Sequence, residues 1–351
     1  MERSIYRIID ANFNRAREAM RVIEEFCRFT LNSELLTRRT KQLRHELSAC
    51  LGKLDDTKLL ITSRDTLGDI GVGQTVNEQL TRGNLDDCLI AACKRLTEAL
   101  RVLAEMTQTL NPSIAETIEK LRYNAYTLEK DIVVFSEPAE KFKRVKLYTI
   151  ISNSSPYDVI SLTRCCIAGG ADCIQLRAKD INDDELFALA VKFAEICKEA
   201  NVLSIINDRV DIAVSAGADG VHLGQNDLPV EQARNLQLTP LIIGKSTHSL
   251  EQLKTACQQL PTYAALGPVF ATATKPTTQP VSLDYVKQAV KELADTGIGH
   301  VAIGGITLDN IKEVLIAGAK VIAVCEAVTG AADPAHACRV LKEKITHFDL
   351  K

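Results

Sequence analysis

The sequence predicts a (β/α)8 barrel preceded by a smaller all-helical domain, an α/β fold class resting on three observations. At 351 residues the chain exceeds one ordinary domain. Its hydrophobic rhythm changes near residue 140, from helical spacing to short β-branched runs that alternate with longer amphipathic ones. Eight strand–helix units then follow in about 207 residues, the count of a closed barrel. A doubly wound open sheet is the alternative; the count of eight, and the polar residues that follow so many strands, favour closure.

Taken in order, residues 10–30, 34–51, 84–110 and 113–131 carry apolar positions at helical spacing. Asn84 and Ser113 precede two of these runs, as N-caps do. Ser136-Glu137-Pro138-Ala139-Glu140-Lys141 is polar and contains proline, so it reads as a linker, with domains at 1–138 and 139–351. Strands are expected at 147–151, 173–176, 203–206, 220–223, 241–244, 264–267, 300–303 and 321–324. Helices are expected between them, at about 156–169, 183–200, 209–216, 229–236, 249–259, 282–296, 308–317 and 334–346. Ala-Gly runs at 168–171, 216–218 and 317–319 fit helix C-caps that feed the next strand.

Composition excludes several classes. At 46% hydrophobic and 25% charged residues the chain can bury a core, and wholesale disorder is excluded. A net charge of −3, from 42 basic and 45 acidic residues, gives no reason to expect nucleic acid or an anionic membrane as the main partner. No run of about 18 apolar residues predicts a membrane span, and the first residues lack a secretory signal, so the expected address is cytoplasmic. The 11 cysteines are odd in number, lie mostly in apolar runs and include no C-x-x-C, which reads as small buried hydrophobes rather than disulfides or zinc ligands. With no Trp, the core must be built of Leu, Ile, Val and Ala.

Barrel chemistry sits where strands end. Arg177, Lys179 and Lys275 bring cations there, and Ser246, Thr272 and Thr274 bring hydroxyls, both fitted to phosphate oxygens. Asp208 and Asp227 end neighbouring strands and could share one hard cation such as Mg²⁺, which binds one or two carboxylates together with substrate phosphates; alternatively Asp208 caps a helix and Asp227 serves a turn. Gly304-Gly305 follows strand seven, the usual barrel phosphate position. Two phosphate-bearing ligands in one mouth indicate a transferase, and the residues alone name neither organic group.

The stretch from Leu147 to about Val328 resembles thiamine-phosphate synthase. It carries QLRAK at 175–179, NDR at 207–209, GADGVHLGQND at 217–227, GKSTH at 244–248, LGPVFATATK at 266–275 and AIGGI at 302–306. The family joins an aminopyrimidine methyl diphosphate to a thiazole monophosphate, releasing pyrophosphate. Carried over by position, the resemblance implies that Gln175, Arg177, Lys179 and Asn207, with the intervening Leu176 and Ala178, hold the pyrimidine diphosphate. It implies that Asp208 and Asp227 bind Mg²⁺ on it, and that Ser246 and Lys275 serve the diphosphate or pyrimidine. Thr272, Ala273, Thr274, Gly305, Cys325 and Glu326 fall at the thiazole-phosphate site. Arg177, Lys179, Ser246 and Lys275 are the candidate catalytic residues. The implied mechanism is dissociative: the C–O bond to pyrophosphate breaks first, and the thiazole nitrogen captures the resulting cation. His222 and His248 are read as packed or supporting residues. Cys325-Glu326 departs from the small or hydroxyl pair expected after strand eight, since a carboxylate aimed at a phosphate would repel it. A related thiazole tautomerase shares the barrel but is expected to lack the Thr272–Lys275 run.

The helical domain holds an internal repeat, R-x-x-E-A-x-R-V-x-x-E, at 15–25 and 95–105. Two similar helices laced by Arg–Glu pairs at i,i+3 spacing account for it. Between the copies lies the Gly-rich run 63–73, which is not a Walker A motif. RIIDANFNRAREAMRVIEEF at 7–26, LRHEL at 43–47 and SRDTLGDIG at 63–71 resemble a hydroxymethylpyrimidine-phosphate kinase domain that precedes some thiamine-phosphate synthases. That resemblance implies ATP and Mg²⁺ there, with Asn12, Arg15, Arg64 and Asp65 as candidates; the other reading is a non-catalytic interaction module. A homo-oligomer stays open.

Overall fold

A computed structural model describes residues 2–54, 58–74, 81–237, 239–272 and 279–349. The chain divides into two compact units, Met1–Val133 and Val134–Lys351.

The first unit contains α1 (Glu2–Glu25), a π-helical turn (Phe26–Thr30), α2 (Glu34–Leu51), α3 (Lys58–Thr62), α4 (Leu85–Gln108) and the first part of α5 (Pro112–Phe142). Helix α1 begins well before residue 10 because Tyr6 and Ile9 continue its buried face. It packs on α4, where Ala16, Ala19, Ala92 and Ala99 are all buried, small enough for close approach. The repeat is this helix pair. Of its ion pairs, Arg21–Glu24 at 3.2 Å has the expected i,i+3 spacing, while Arg21–Glu25 at 3.7 Å and Arg101–Glu105 at 2.6 Å are i,i+4. Asn84 caps α4, its Oδ1 accepting from the Asp87 N–H at 2.8 Å. Ser113 does not cap α5. Asn111 does, accepting from the Ser113 and Ile114 N–H groups at 3.1 and 3.3 Å, with Pro112 in the first turn where its missing N–H costs nothing.

The expected linker at 136–141 is helix. Helix α5 runs through it with Pro138 inside, because Phe135, Ala139 and Phe142 form a buried stripe at i, i+4 and i+7 that outweighs one lost backbone hydrogen bond. The boundary between units therefore falls within a helix, at Val133/Val134.

The second unit is a closed barrel of eight strands, each parallel to its neighbours, with β1 also paired to β8. The strands are β1 (Leu147–Ser152), β2 (Cys173–Arg177), β3 (Leu203–Asn207), β4 (Gly220–Leu223), β5 (Ile242–Thr247), β6 (Tyr263–Leu266), β7 (Gly299–Ile303) and β8 (Ile322–Val324). Helices α6 (Val159–Ala168), α7 (Asp183–Glu199), α8 (Val210–Ser215), α9 (Val230–Leu236), α10 (Leu250–Gln258), α11 (Leu283–Leu293), α12 (Ile311–Ile316), α13 (Glu326–Thr329) and α14 (Pro334–Asp349) follow the strands. The expected units are all present, and α13 is an addition.

Tyr148, Ile150, Cys173, Leu203, Ile205, Ile242, Tyr263, Ala265, Val301 and Ala323 fill the barrel interior. Side chains alternate along a strand, so the same phase carried two residues on from Cys173, Ile205, Gly244 and Ala323 aims Gln175, Asn207, Ser246 and Cys325 at the mouth. Gly244 is required by packing: a Cβ there would lie 2.1 Å from Tyr263 Cζ, so its absence is what lets that ring lie across the interior. Among the described residues no helix is long and apolar enough to cross a membrane.

Candidate active site

A cavity of about 240 Å³ opens at the C-terminal ends of the strands. Eight residues expected at the substrates line it: Gln175, Arg177, Asn207, Ser246, Thr272, Gly305, Cys325 and Glu326. Ile150, Ala265, Ile303 and Ala323 give it apolar walls. Strand alternation explains both the inclusions and an exclusion. Leu176, between two lining residues, is out of phase and buried, so its side chain does not reach the mouth, and Ala178 is absent from the lining as well. Ser246 is not in a loop after β5 but inside the strand, which extends three residues past its expected end. Ala273, Thr274 and Lys275 lie outside the described residues.

The floor joins Gln175 and Ser246, expected at the substrates, and His222, read as a packed or supporting residue, to Tyr148 and Tyr263, which sequence reasoning left unassigned. Gln175 Nε2 donates to the Tyr148 hydroxyl at 2.7 Å. The hydroxyls of Tyr148 and Tyr263 are 2.8 Å apart, Tyr263 reaches His222 Nδ1 at 3.0 Å, and His222 Nε2 reaches Ser246 Oγ at 2.9 Å. Burial holds both phenols well above their ordinary ionisation range, so both keep their hydrogens. The strand phase shared by Gln175, His222 and Ser246 was the available signal; that two tyrosines would join them depends on the closure of the barrel. His248 also lines the cavity, its Nδ1 donating to the Gly267 carbonyl.

The side of the cavity at Gly304-Gly305 is built from backbone. Gly304 and Gly305 hold φ of +103° and +62°, a conformation that glycine adopts without strain. A Cβ on Gly305 would sit 2.5 Å from the Ala271 carbonyl oxygen, so the two loops approach closely here. The four-residue α13 starts at Glu326, beside the Gly pair in the cavity lining, which matches the usual barrel phosphate position. Glu326 is exposed. Its Oε1 lies where a Cβ on Gly330 would meet it at 2.6 Å, so the carboxylate folds along α13 toward Gly330, while its place in the first helical turn complements the helix dipole.

Asp208 and Asp227, in the loops that follow the neighbouring strands β3 and β4, do not line the cavity. Asp208, at φ +64°, donates its N–H to the His222 carbonyl at 2.8 Å. Asp227 Oδ2 accepts from the Gly224 N–H at 2.6 Å, two residues after His222. Each carboxylate faces a lysine: Lys179 Nζ stands 3.7 Å from Asp208 Oδ2, and Asp227 opposes the burial that lowers the Lys245 ammonium below the usual lysine range. Lys245 Nζ donates to the Gly224 carbonyl at 2.6 Å. Among the described residues no group of three or more His, Cys, Asp or Glu could hold a metal on protein ligands alone. Two hard oxygen donors without sulfur do fit Mg²⁺ that completes its shell with substrate phosphate and water.

In the helical unit, Arg64 grips the buried Asp10 with Nε and a terminal nitrogen at 2.5 and 2.8 Å, and Arg7 donates to the Asp65 carbonyl at 3.2 Å. The Asp65 side chain accepts from the Gly68 N–H at 2.9 Å, a turn contact. Arg15 reaches Asn12 at 3.4 Å, and Asn12 is buried. Asp10 and Arg7 were missed: nothing in a helical repeat marks which charged positions a distant loop will meet.

Residues 147–328 match the family described as thiamine monophosphate synthase, and residues 7–131 match the ThiD2 family. The chain is similar to a thiamine-phosphate synthase of Synechocystis sp., at 35% identity over 99% of this chain and 98% of that one. It is also similar to one of Rhodopirellula baltica, at 38% identity over 95% and 89%. A solved thiamine phosphate pyrophosphorylase from Pyrococcus furiosus, 33% identical, covers 60% of this chain and 98% of its own with a TM-score of 0.55. A chain with this barrel, this mouth and relatives matched along nearly its whole length belongs to the thiamine monophosphate synthase family, transferases of thiamine biosynthesis, and carries a ThiD2-family unit ahead of the barrel.

Proposed function

We propose that the barrel mouth joins an aminopyrimidine methyl diphosphate to a thiazole monophosphate, forming thiamine phosphate and releasing pyrophosphate. The observation that carries this reading is the arrangement of one cavity: an apolar wall, a hydrogen-bonding floor at Gln175 and Ser246, and an anion rim at Arg177, Thr272 and Gly304-Gly305. The C–O bond breaks heterolytically, its electron pair leaving with the diphosphate. The thiazole nitrogen lone pair then forms the new C–N bond. Arg177 and Lys179, with Lys275, hold the departing negative charge. Ile150, Ala265, Ile303 and Ala323 keep water from the pyrimidinylmethyl cation. Asp208 and Asp227 would hold Mg²⁺, which supplies charge stabilisation to the leaving diphosphate when bound. The backbone of Gly304-Gly305 receives the thiazole phosphate, and the folding of Glu326 toward Gly330 keeps its charge from opposing that anion. The full chain with both substrates and Mg²⁺ should yield thiamine phosphate and one pyrophosphate per turnover; folded protein that forms neither rejects the assignment.

The ThiD2-family unit is proposed to phosphorylate hydroxymethylpyrimidine phosphate with ATP, around the Asp10–Arg64 and Arg7–Asp65 contacts and the adjoining Asn12 and Arg15. Consecutive steps on one chain would share the diphosphate. Arg64→Ala should remove ATP consumption while condensation from supplied diphosphate continues. If ATP consumption is absent from the native chain, the unit is an interaction module.

A further inference from the structure

Five buried side chains under the cavity form one hydrogen-bonded line: Gln175, Tyr148, Tyr263, His222 and Ser246, between 0% and 6% exposed. The direction of each bond follows from the need to pair every buried hydrogen. Gln175 donates an amide hydrogen to the Tyr148 oxygen. If the Tyr148 hydrogen did not go to Tyr263, it would be buried without an acceptor among the hydrogen bonds of the described residues, a costly arrangement. Tyr148 therefore donates to Tyr263. The same reasoning at Tyr263, which is fully buried, sends its hydrogen to His222 Nδ1. That nitrogen must then be bare. In the neutral imidazole the hydrogen sits on Nε2, which donates to Ser246 Oγ. Ser246 accepts there, and its own hydrogen is left to donate to an occupant of the cavity. At the other end the amide of Gln175 is pinned through nitrogen, which leaves Oε1 as an acceptor.

We propose that His222, with Tyr148 and Tyr263, is a positioning residue that fixes the polarity of the floor, so that the mouth presents one acceptor at Gln175 and one donor at Ser246 to the pyrimidine. The proposal deepens the condensation reading and rests on it for the identity of the ligand. A planar ring carrying an exocyclic N–H next to a ring-nitrogen lone pair matches a floor of one acceptor and one donor. A ring with the two reversed meets donor against donor. His248 supplies a contrast within the same cavity. Its Nδ1 bonds a carbonyl, which can only accept, so its hydrogen sits on Nδ1 and its tautomer is opposite to that of His222.

The decisive measurement is nitrogen NMR on the full chain with ¹⁵N-labelled histidine at neutral pH, the histidine signals assigned by substitution. The expected result is a bare Nδ1 and protonated Nε2 at His222, and the reverse at His248. A protonated Nδ1 at His222 overturns the proposal whether or not the enzyme condenses anything, so its failure is separable from failure of the function. Kinetics give the second readout. Tyr263→Phe keeps the ring that stacks on Phe142, with centroids 4.5 Å apart, and removes one donor. It should raise KM for the pyrimidine diphosphate by about tenfold, leaving KM for the thiazole phosphate unchanged. Tyr148→Phe should do the same. The double variant should be no worse than the worse single one, because both break the same line. His222→Gln retains a donor near the Nε2 position and should recover part of what His222→Leu loses. Additive losses, equal effects on both substrates, or equal losses in the two His222 variants would each assign these residues to packing instead.

Discussion

The two regions of the chain are built from equally regular elements, yet they disclose chemistry very differently. In the barrel, strand alternation and closure send every second side chain to one interior, and the in-phase residues at or near the C-terminal end of each strand are carried toward the mouth. Gln175, Asn207, Ser246 and Cys325 converge for that reason alone. In the helical unit, a 3.6-residue period assigns each residue a face but not a destination. Its conspicuous charges are spent on one another: Arg44 on Glu24, Arg64 on Asp10, Arg101 on Glu105. A barrel position therefore carries functional meaning that a helical position lacks until its neighbours are known.

The sharpest way to break that contrast is at Asp227, where two roles compete. As a turn residue it needs only an oxygen for the Gly224 N–H; as a Mg²⁺ ligand it needs its charge. Asp227→Asn keeps the first and removes the second. Condensation should fall by about 100- to 1,000-fold, roughly 3–4 kcal/mol at the transition state, with little change in melting temperature. Near-native turnover at unchanged Mg²⁺ dependence would return Asp227 to the turn and leave the barrel rim no more legible than the helical surface.

Gly244→Ala asks whether the barrel interior is as tightly specified as its mouth. The new methyl would strike the Tyr263 ring, which is held between Phe142 and the Tyr148 hydroxyl. Overpacking of this kind should cost about 3 kcal/mol in urea unfolding. A loss below about 1 kcal/mol would mean that the ring moves aside, and would weaken the case for a rigid floor.

The matching test in the helical unit is Glu24→Ala. Glu24 is buried and accepts from Arg44 at 3.0 Å and from Arg21 at 3.2 Å, joining α1 to α2. Its removal strands Arg44, which is only 19% exposed, and should cost about 2 kcal/mol. KM for both condensation substrates should not change. If condensation fails in parallel, the two regions are not independent units of chemistry.

What could be read beforehand follows the same physics. The strand count, the order of the helices and the cluster at the strand ends were legible because each depends on local period. The continuous helix through 136–141 was not, since the buried stripe of Phe135, Ala139 and Phe142 is interrupted by charges and a proline that composition weighs more heavily. The short α13 was not, because four residues carry no periodicity, although an acidic Glu326 after the strand was a sign of a helix start. The floor needed tertiary information: Tyr148 and Tyr263 are 115 positions apart, and only closure brings their hydroxyls together. In the helical unit, Asn12, Arg15, Arg64 and Asp65 were named without roles, and the partners that organise them, Asp10 and Arg7, lie among many similar residues on α1.

Acid should separate the two regions most gently, through His300 in β7. Its Nε2 accepts from the Lys320 N–H at 2.9 Å, so the fold requires that nitrogen bare. Burial, helped by Lys320 and Lys146, pushes the imidazole down to about 4 from the ordinary 6.5. The folded state thus binds this proton less readily than the unfolded chain does. Stability from this group is complete above pH 6.5, declines as pH falls through the interval to 4, and is fully lost below it. The total is about 3 kcal/mol. In the helical unit the lowered carboxyls of Glu116 and Glu119 start from 4.5 and give up their contribution only below that value. Between pH 6.5 and 4.5 the barrel should therefore soften while the helical region holds, a divergence that urea unfolding followed by hydrogen exchange in each region would reveal. His300→Gln, neutral at every pH, should flatten the barrel's dependence; an unchanged slope would place the acid sensitivity elsewhere.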